Sequence, residues 1–522
     1  MKLYNKLFAL SAVSLMAISC TDLDKFPEGS VMTEEQKADV IKGAPEKLAA
    51  DVNGLSAAMQ KVGTLDGGFQ HYDFGYPSVA MMLESSGQDF IGPDAGYNWY
   101  RSSMNFSDRL YTSNPTLFFW KFFYNHIKTA NDVLAMIDPA ATDPTLQLYR
   151  GQALASRAFD YLHLVQIFQF TYAGHESALA VPLVVENMPL EQTSNNPRAT
   201  VKEVYDKIIA DLTDAITLLE GKTVSAKDQI NQAVAYGLRA RANLLMQNWA
   251  GAAQDADAAL AASGATPYTL EQMAAAPAFY KVDQNWMWAS IISPDNEVVQ
   301  TGIVNYPSMM CSLTGNGYTT LVGQYRSINK NLYDMIPESD VRKGWWLNAE
   351  ATSPIVPAEV VEEFGITPYA NVKFHAEGGS WGNPTNAQDW VIMRAEEMIL
   401  IKAEAQAMGG NIAAGKTTLE DFVKTFRDPK YSCTASSATA FQDEIWKQRR
   451  IELWGEGFGF LDLLRLKKPV VRKGVNFPIG VQYQDIAAES QILIYRIPLS
   501  EIEVNNGISE ADNNPVAPTP SV

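Results

Sequence analysis

The stretch LQLYRGQALASRAFDYLHLVQIFQF, residues 146–170, decides the fold. Leu148, Gly151, Ala155, Ala158, Leu162 and Val165 recur at steps of three and four, so they share one face of a helix. Arg150, Gln152, Ser156, Arg157, Asp160 and His163 fall largely elsewhere. The small residues Gly151, Ala155 and Ala158 lie on the apolar face, where they let a second helix approach closely. A helix of this kind is a central rib in a stack of helix pairs, each burying its stripe against the next.

Ribs of the same kind are predicted on either side. Residues 33–61 read as helical. Residues 117–137 form the next helix, opened by Asn114 and Pro115 and ended before Pro139, and it pairs with the central rib across a short turn. Residues 201–219 and 229–247 make a second pair. Trp249, Ala252, Ala256 and Ala259 line the helix that follows, and with Tyr236 and Ala240 they resemble a tetratricopeptide repeat. Further helices are predicted over 390–408, 418–427 and 441–454. The fold class is therefore mainly α: a tetratricopeptide-like α-solenoid with long loop-rich regions and a few short strands, one of them predicted over 369–374. The scaffold occupies about 115–265 and 390–465. The loop-rich face comprises about 63–111 and 265–386, where glycine, proline and aromatic residues break the helical pattern. The Pro-rich end after Asn513 is expected to fray.

With 522 residues and 47% hydrophobic content, the chain can bury a large core. Its 41 Lys and Arg against 59 Asp and Glu give a net charge of −18, which excludes the basic footprint of a nucleic-acid binder. Three cysteines make no disulfide framework, and Cys311 and Cys433 can either pair or stay free. Lys2 and Lys6 precede an apolar run over 7–18 that is too short to span a bilayer, followed by Ser19 and Cys20. This resembles a bacterial lipoprotein signal, with residues 1–19 removed and a lipid on Cys20 as membrane anchor. Loss of Lys2 and Lys6 takes the charge from −18 to −20.

Several patterns suggest chemistry and do not hold. Residues 410–417, GNIAAGKT, satisfy G-x-x-x-x-G-K-[ST], but a phosphate loop needs a buried strand before it, and the preceding residues read as helix. Gly455, Gly457 and Gly459 lack the spacing of a dinucleotide turn. The five histidines have no metal-ligand spacing, and no G-x-S-x-G elbow occurs. Glu84, Asp89 and Asp94 are the first loop acids to consider for a hydrolase, yet no motif singles them out. No catalytic residue, metal or cofactor is assigned.

The loop aromatics are the better signal. A flat ring covers the C–H face of a sugar, while Arg, Asn and Asp satisfy its hydroxyl rim. Tyr97, Asn98, Trp99, Tyr100 and Arg101 supply both kinds in five residues, with Tyr76 nearby in sequence. Trp286 and Trp288, beside Tyr280, form a second group, and Tyr318 with Tyr325 a third. Trp345, Trp346 and Trp390 abut regular elements and are expected in the core.

Four spaced motifs then carry a resemblance. RRIELWGEGFGFLDL, residues 449–463, resembles R-R-x-E-L-x-x-E-G-x-R-x-x-D-L, the signature of the SusD/RagB family of outer-membrane lipoproteins from Bacteroidetes. It departs at Gly459, where arginine is usual. YRIPLSEI, residues 495–502, resembles that family's closing I-P-x-x-E-I; the helices beginning at Arg394 and Arg150 resemble its R-x-A-E-x-x-L-x-x-A-E-A and G-E-A-x-x-x-R-A-x-x-Y segments. The resemblance implies a non-enzymatic, tetratricopeptide-like lipoprotein. Such a protein caps a SusC-like TonB-dependent transporter and delivers glycans to it, or peptides in some branches. A pure protein-interaction scaffold is the other reading that repeat helices suit.

Overall fold

Capping residues set where the ribs begin. In the computed structural model, which describes residues 34–65, 70–274, 279–473, 476–478 and 485–518, the first helices are α1 (Glu34–Gly43) and α2 (Ala49–Ala58). They are separated by a 3₁₀ turn, Pro45–Leu48, so the single helix predicted over 33–61 is broken. Pro45 lacks an N–H and disfavours helical geometry at Ala44, whose φ/ψ is −149°/72°. Next come α3 (Tyr76–Ser86), the short strand β1 (Phe90–Ile91), and two long helices, α4 (Asn114–Ala135) and α5 (Pro144–Phe168). The Ser113 hydroxyl accepts from the Thr116 N–H, and the Asp143 carboxylate accepts from those of Thr145 and Leu146.

A capping box between Thr200 and Glu203 opens α6 (Val201–Leu218). Asn231 and Asn248 cap α7 (Gln232–Leu245) and α8 (Trp249–Ser263). Beyond the loop region follow α9 (Ala395–Met408), α10 (Ile412–Phe426), α11 (Ala438–Glu452) and α12 (Gly459–Arg465). Each of α4 to α10 packs on the next in order. The stack is continuous across the long insertion, because α8 packs directly on α9. Gly151 shows why small residues sit at these contacts: a Cβ there would lie 2.8 Å from Leu219 Cγ.

The central helix α5 has almost no solvated face. Gln152, Arg157, Asp160 and His163, which the periodicity puts off the apolar stripe, are buried as well. Each has partners: Arg157 forks onto Asp211 at 2.8 and 2.9 Å, Asp160 pairs with His126 at 2.8 Å, and Gln152 donates to the Ile230 carbonyl. A rib surrounded on every side needs polar groups that satisfy one another, and the spacing of the apolar stripe places these groups off it without showing their partners.

Two small antiparallel sheets join the insertion to the stack: β1 with β3 (Ser327–Ile328), and β2 (Trp286–Ser290) with β4 (Trp390–Arg394). Residues 390–394, predicted as the start of a helix, are thus a strand. All five are buried and hydrogen-bond edge to edge with β2, which a helical turn could not do. Residues 369–374 contribute only isolated bridges at Ala370 and Asn371.

The signature around 449–462 is the hub between stack and insertion. Glu452 accepts from Arg342, Arg394 and Arg427, and Glu456 from Arg394 and Lys373. Arg449 pairs with Asp462, Arg450 with Asp89, and the Trp454 indole donates to the Asp89 carbonyl. Glu84 on α3 accepts from the backbone N–H groups of Gly457 and Gly459 at 2.8 and 3.2 Å. At the start of the tail expected to fray after Asn513, Asn514 is tied down. The Asn514 amide donates to the carbonyls of Phe168 and Tyr495 at 2.6 Å each, and its oxygen accepts from Arg198.

Candidate functional site

The loop between β1 and the short helix Arg101–Met104 is built around Asp94. Its carboxylate accepts from the Asn98 amide at 2.7 Å and pairs with Arg101 at 3.0 Å, and these two groups hold its pKa below the usual value. The Asn98 oxygen in turn accepts from the Ala95 N–H. Asn98 and Tyr100 adopt left-handed φ of 52° and 72°. These reversals send alternate rings in opposite directions. Tyr100 turns inward, buried with its hydroxyl 3.5 Å from Ser78 Oγ, whereas Tyr97 is 60% exposed and Trp99 half-buried.

Four rings from three segments meet here: Tyr97 exposed, Trp99 and His71 half-buried, and Tyr318 buried beneath them at 5% exposure. Trp99 stacks on His71 with centroids 4.6 Å apart and planes 10° from parallel. Tyr97 lies 6.3 Å from Trp99 at 22°. Tyr318, at the start of the short helix Tyr318–Val322, stands edge-on to Tyr97, Trp99 and His71 at 5.3, 5.9 and 5.8 Å. Its hydroxyl hydrogen-bonds His71 Nδ1. Burial lowers the His71 pKa, so the imidazole is neutral at pH 7, and burial raises that of the Tyr318 hydroxyl. The loop carrying the exposed Trp381 is hydrogen-bonded to the same segment, Gly382 N–H to the Leu313 carbonyl.

The structure therefore brings Tyr97, Asn98, Trp99, Arg101 and Tyr318 into one neighbourhood and separates the rest. Tyr76 is buried on α3, with its hydroxyl 3.1 Å from His163 Nε2. Trp286 and Trp288 are 0% and 3% exposed within β2; Trp288 stands edge-on to Phe159 and donates to the Asp228 carbonyl. Tyr76, Tyr100, Trp286 and Trp288 cannot offer a ring face to a ligand, because core side chains already cover them. Tyr325 is buried too. His71 escaped the sequence reading, which weighed histidines only for metal spacing; its place in the Gly- and Tyr-rich stretch was the available signal.

Other candidates resolve as structure. Glu84 and Asp89 are buried in the hub. Asn411 caps α10, and Gly415 lies within that helix against the Ala403 carbonyl, so 410–417 cradles no phosphate. Cys311 and Cys433 are both free and buried, in separate core clusters. Among the described residues no group of three His, Cys, Asp or Glu could hold a metal ion. Grooves of about 730 and 570 Å³ lie elsewhere, and none of the four rings lines either one. Cys20 and residues 1–19 lie outside the described residues.

Fold and site together define a helical-repeat binding protein that carries a ring platform on its loops. Residues 76–244 match the family described as starch-binding and associating with the outer membrane, and residues 318–515 match the SusD family. The chain belongs to the SusD/RagB family, whose members are non-catalytic binding proteins; it is not an enzyme. No curated protein sequence matches it. A SusD-like carbohydrate-binding protein from Bacteroides vulgatus is 24% identical with a TM-score of 0.73, over 90% of this chain and 98% of the other. A SusD superfamily protein from Bacteroides thetaiotaomicron is 21% identical with a TM-score of 0.72, over 90% and 99%. A laminarin-binding SusD-like protein is 20% identical with a TM-score of 0.63, over 90% and 98%. Among the described residues no helix is long and apolar enough to cross a membrane.

Proposed function

We propose that this protein is a cell-surface lipoprotein, anchored through Cys20 after removal of residues 1–19, that binds a glycan and delivers it to a SusC-like TonB-dependent outer-membrane transporter. Tyr97 and Trp99, backed by the buried Tyr318 and with Asn98, Arg101 and Asp94 at the rim, form the binding site. The observation that carries this reading is the ring cluster. Three distant segments converge to hold an exposed tyrosine against a braced tryptophan, with hydrogen-bonding groups beside them. Loops 63–111 and 265–386 supply the ligand face, and the helices supply the frame. The sugar-binding descriptions of the structural relatives support the ligand class.

Binding is tested with soluble protein beginning at Thr21, by electrophoresis through gels containing laminarin, starch or other polysaccharides, and by calorimetry against the retained one and against peptides. Retardation by one polysaccharide without cleavage, reduced about 30-fold in affinity by Tyr97→Ala or Trp99→Ala, is the expected result. Binding only to peptides, or glycan binding indifferent to both substitutions, would overturn the assignment.

A further inference from the structure

The platform contains a residue that neither the loop pattern nor the family resemblance pointed to. His71 sits in the turn before α3, where the Asp73 N–H donates to the Gln70 carbonyl and the Asp73 carboxylate accepts from Leu65. From this anchored turn the imidazole does two things at once. It lies flat on Trp99, and its Nδ1 is hydrogen-bonded to the Tyr318 hydroxyl. Tyr318 is in turn the ring that stands edge-on to both Tyr97 and Trp99. His71 thus links the loop bearing Tyr97 and Trp99 to the helix bearing Tyr318.

We propose that His71 is a positioning residue of the glycan platform: by stacking on Trp99 and accepting from Tyr318, it sets the angle at which Tyr97 and Trp99 meet the sugar. This rests on the glycan-binding reading above. Tyr97, the most exposed of the four rings, offers the ligand a face, and His71 acts through the rings behind it. A neutral imidazole can accept from Tyr318 through Nδ1, whereas a protonated one donates from both nitrogens and can bond Tyr318 only with the phenolic oxygen accepting. Among the described residues, Trp99 and Tyr318 from the other two segments pack against His71. Desolvation among these rings keeps the imidazole neutral at pH 7. As pH falls through its lowered pKa, the bond in which Nδ1 accepts is lost and only the reverse one, Nδ1 donating to the Tyr318 oxygen, can replace it.

The test uses the chain from Thr21 and its His71→Asn, His71→Ala and Tyr318→Phe variants. Asparagine can still accept from Tyr318; alanine cannot. Affinity for the polysaccharide retained in the gel panel should fall about tenfold in His71→Ala, one hydrogen bond's worth, and recover in large part in His71→Asn. Wild-type affinity should drop as pH is lowered from 7.5 to 4.5, while Tyr318→Phe, with no hydroxyl bond to lose, shows a flatter profile. Equal affinity of His71→Ala and wild type, or matching pH profiles for wild type and His71→Asn, would overturn the proposal. A second readout needs no ligand. In ring-labelled protein, the histidine resonance absent from His71→Asn should titrate below the ordinary imidazole value and move upward in Tyr318→Phe. A signal at the ordinary value, unmoved by Tyr318→Phe, would overturn the proposal even if no polysaccharide is retained. Failure of retention with the expected titration would instead sink the glycan reading and leave the ring architecture standing.

Discussion

Replacing Glu452 by glutamine should be among the most damaging isosteric changes available to this chain. One carboxylate is shared by three guanidiniums: Arg342 at 3.0 Å, Arg394 at 2.8 Å, and Arg427 at 2.8 and 2.9 Å. All four side chains are 1% exposed or less. Around them, Arg342, Lys373, Arg394 and Arg427 are balanced by Asp340, Glu396, Glu452 and Glu456, so the cluster carries no net charge. Glutamine keeps the volume but leaves one positive charge uncompensated and turns an amide donor toward guanidinium donors. Breaking a buried pair in this way costs about 3–5 kcal/mol. Burial alone would raise the Glu452 pKa, but Arg427 and Arg394, with Arg342, take it well below the usual carboxylate range. A folded-state pKa below the unfolded one contributes stability above the unfolded value, and that contribution is lost as pH falls through the folded one. The deficit of Glu452→Gln should therefore be full at pH 7 and shrink in acid. Urea unfolding followed by circular dichroism at pH 7 and pH 4 measures both. A loss under about 1 kcal/mol at pH 7, or a deficit that does not narrow in acid, would mean that packing rather than charge pairing holds the hub.

Four other outcomes are expected. Trp286→Ala should lower stability by about 3–5 kcal/mol through the cavity it leaves, with polysaccharide affinity per folded molecule unchanged, as isothermal titration of the folded fraction would read. Burial outweighs the N–H groups of Gly459 and Gly457 and raises the Glu84 pKa to about 7, so stability should decline as pH rises from the ordinary carboxylate value through 7, by about 3 kcal/mol in all; Glu84→Gln should remove that slope in urea titrations run across the range. Gly457→Ala should cost about 1–3 kcal/mol, because φ is +95° and the added Cβ would lie 2.9 Å from that of Ala80; the shift of the urea midpoint checks it. Cys311 and Cys433 should resist thiol reagents in the native protein and react in denaturant, without a reducing agent being needed.

The helices were legible because their signals are local. Pro115 and Pro144 at helix starts, Thr200 with Glu203, and steps of three and four all act within a few residues of the element they define. What escaped depends on partners far away in sequence. Residues 390–394 are apolar enough for either structure, and only β2, a hundred residues earlier, makes them a strand. The partners of Arg157 and Asp160 could not be read, because Asp211 and His126, which satisfy them, come from other helices. In the site, Tyr97 and Trp99 stood out by composition. Trp286 and Trp288 carry the same composition and lie inside, since a tryptophan in a two-sided strand and one on a loop read alike. The ring platform itself was not readable, because residues 71, 97–99 and 318 meet only in three dimensions.

The tie at Asn514 bears on how the chain is made. The carbonyl of Phe168, at the end of the central helix, is closed by an amide that is synthesised 346 residues later. Arg198, from the first half of the chain, waits for the same side chain. The earliest helices can form as they emerge, but the middle of the stack stays unsealed until residue 514 has been made and folds back onto it.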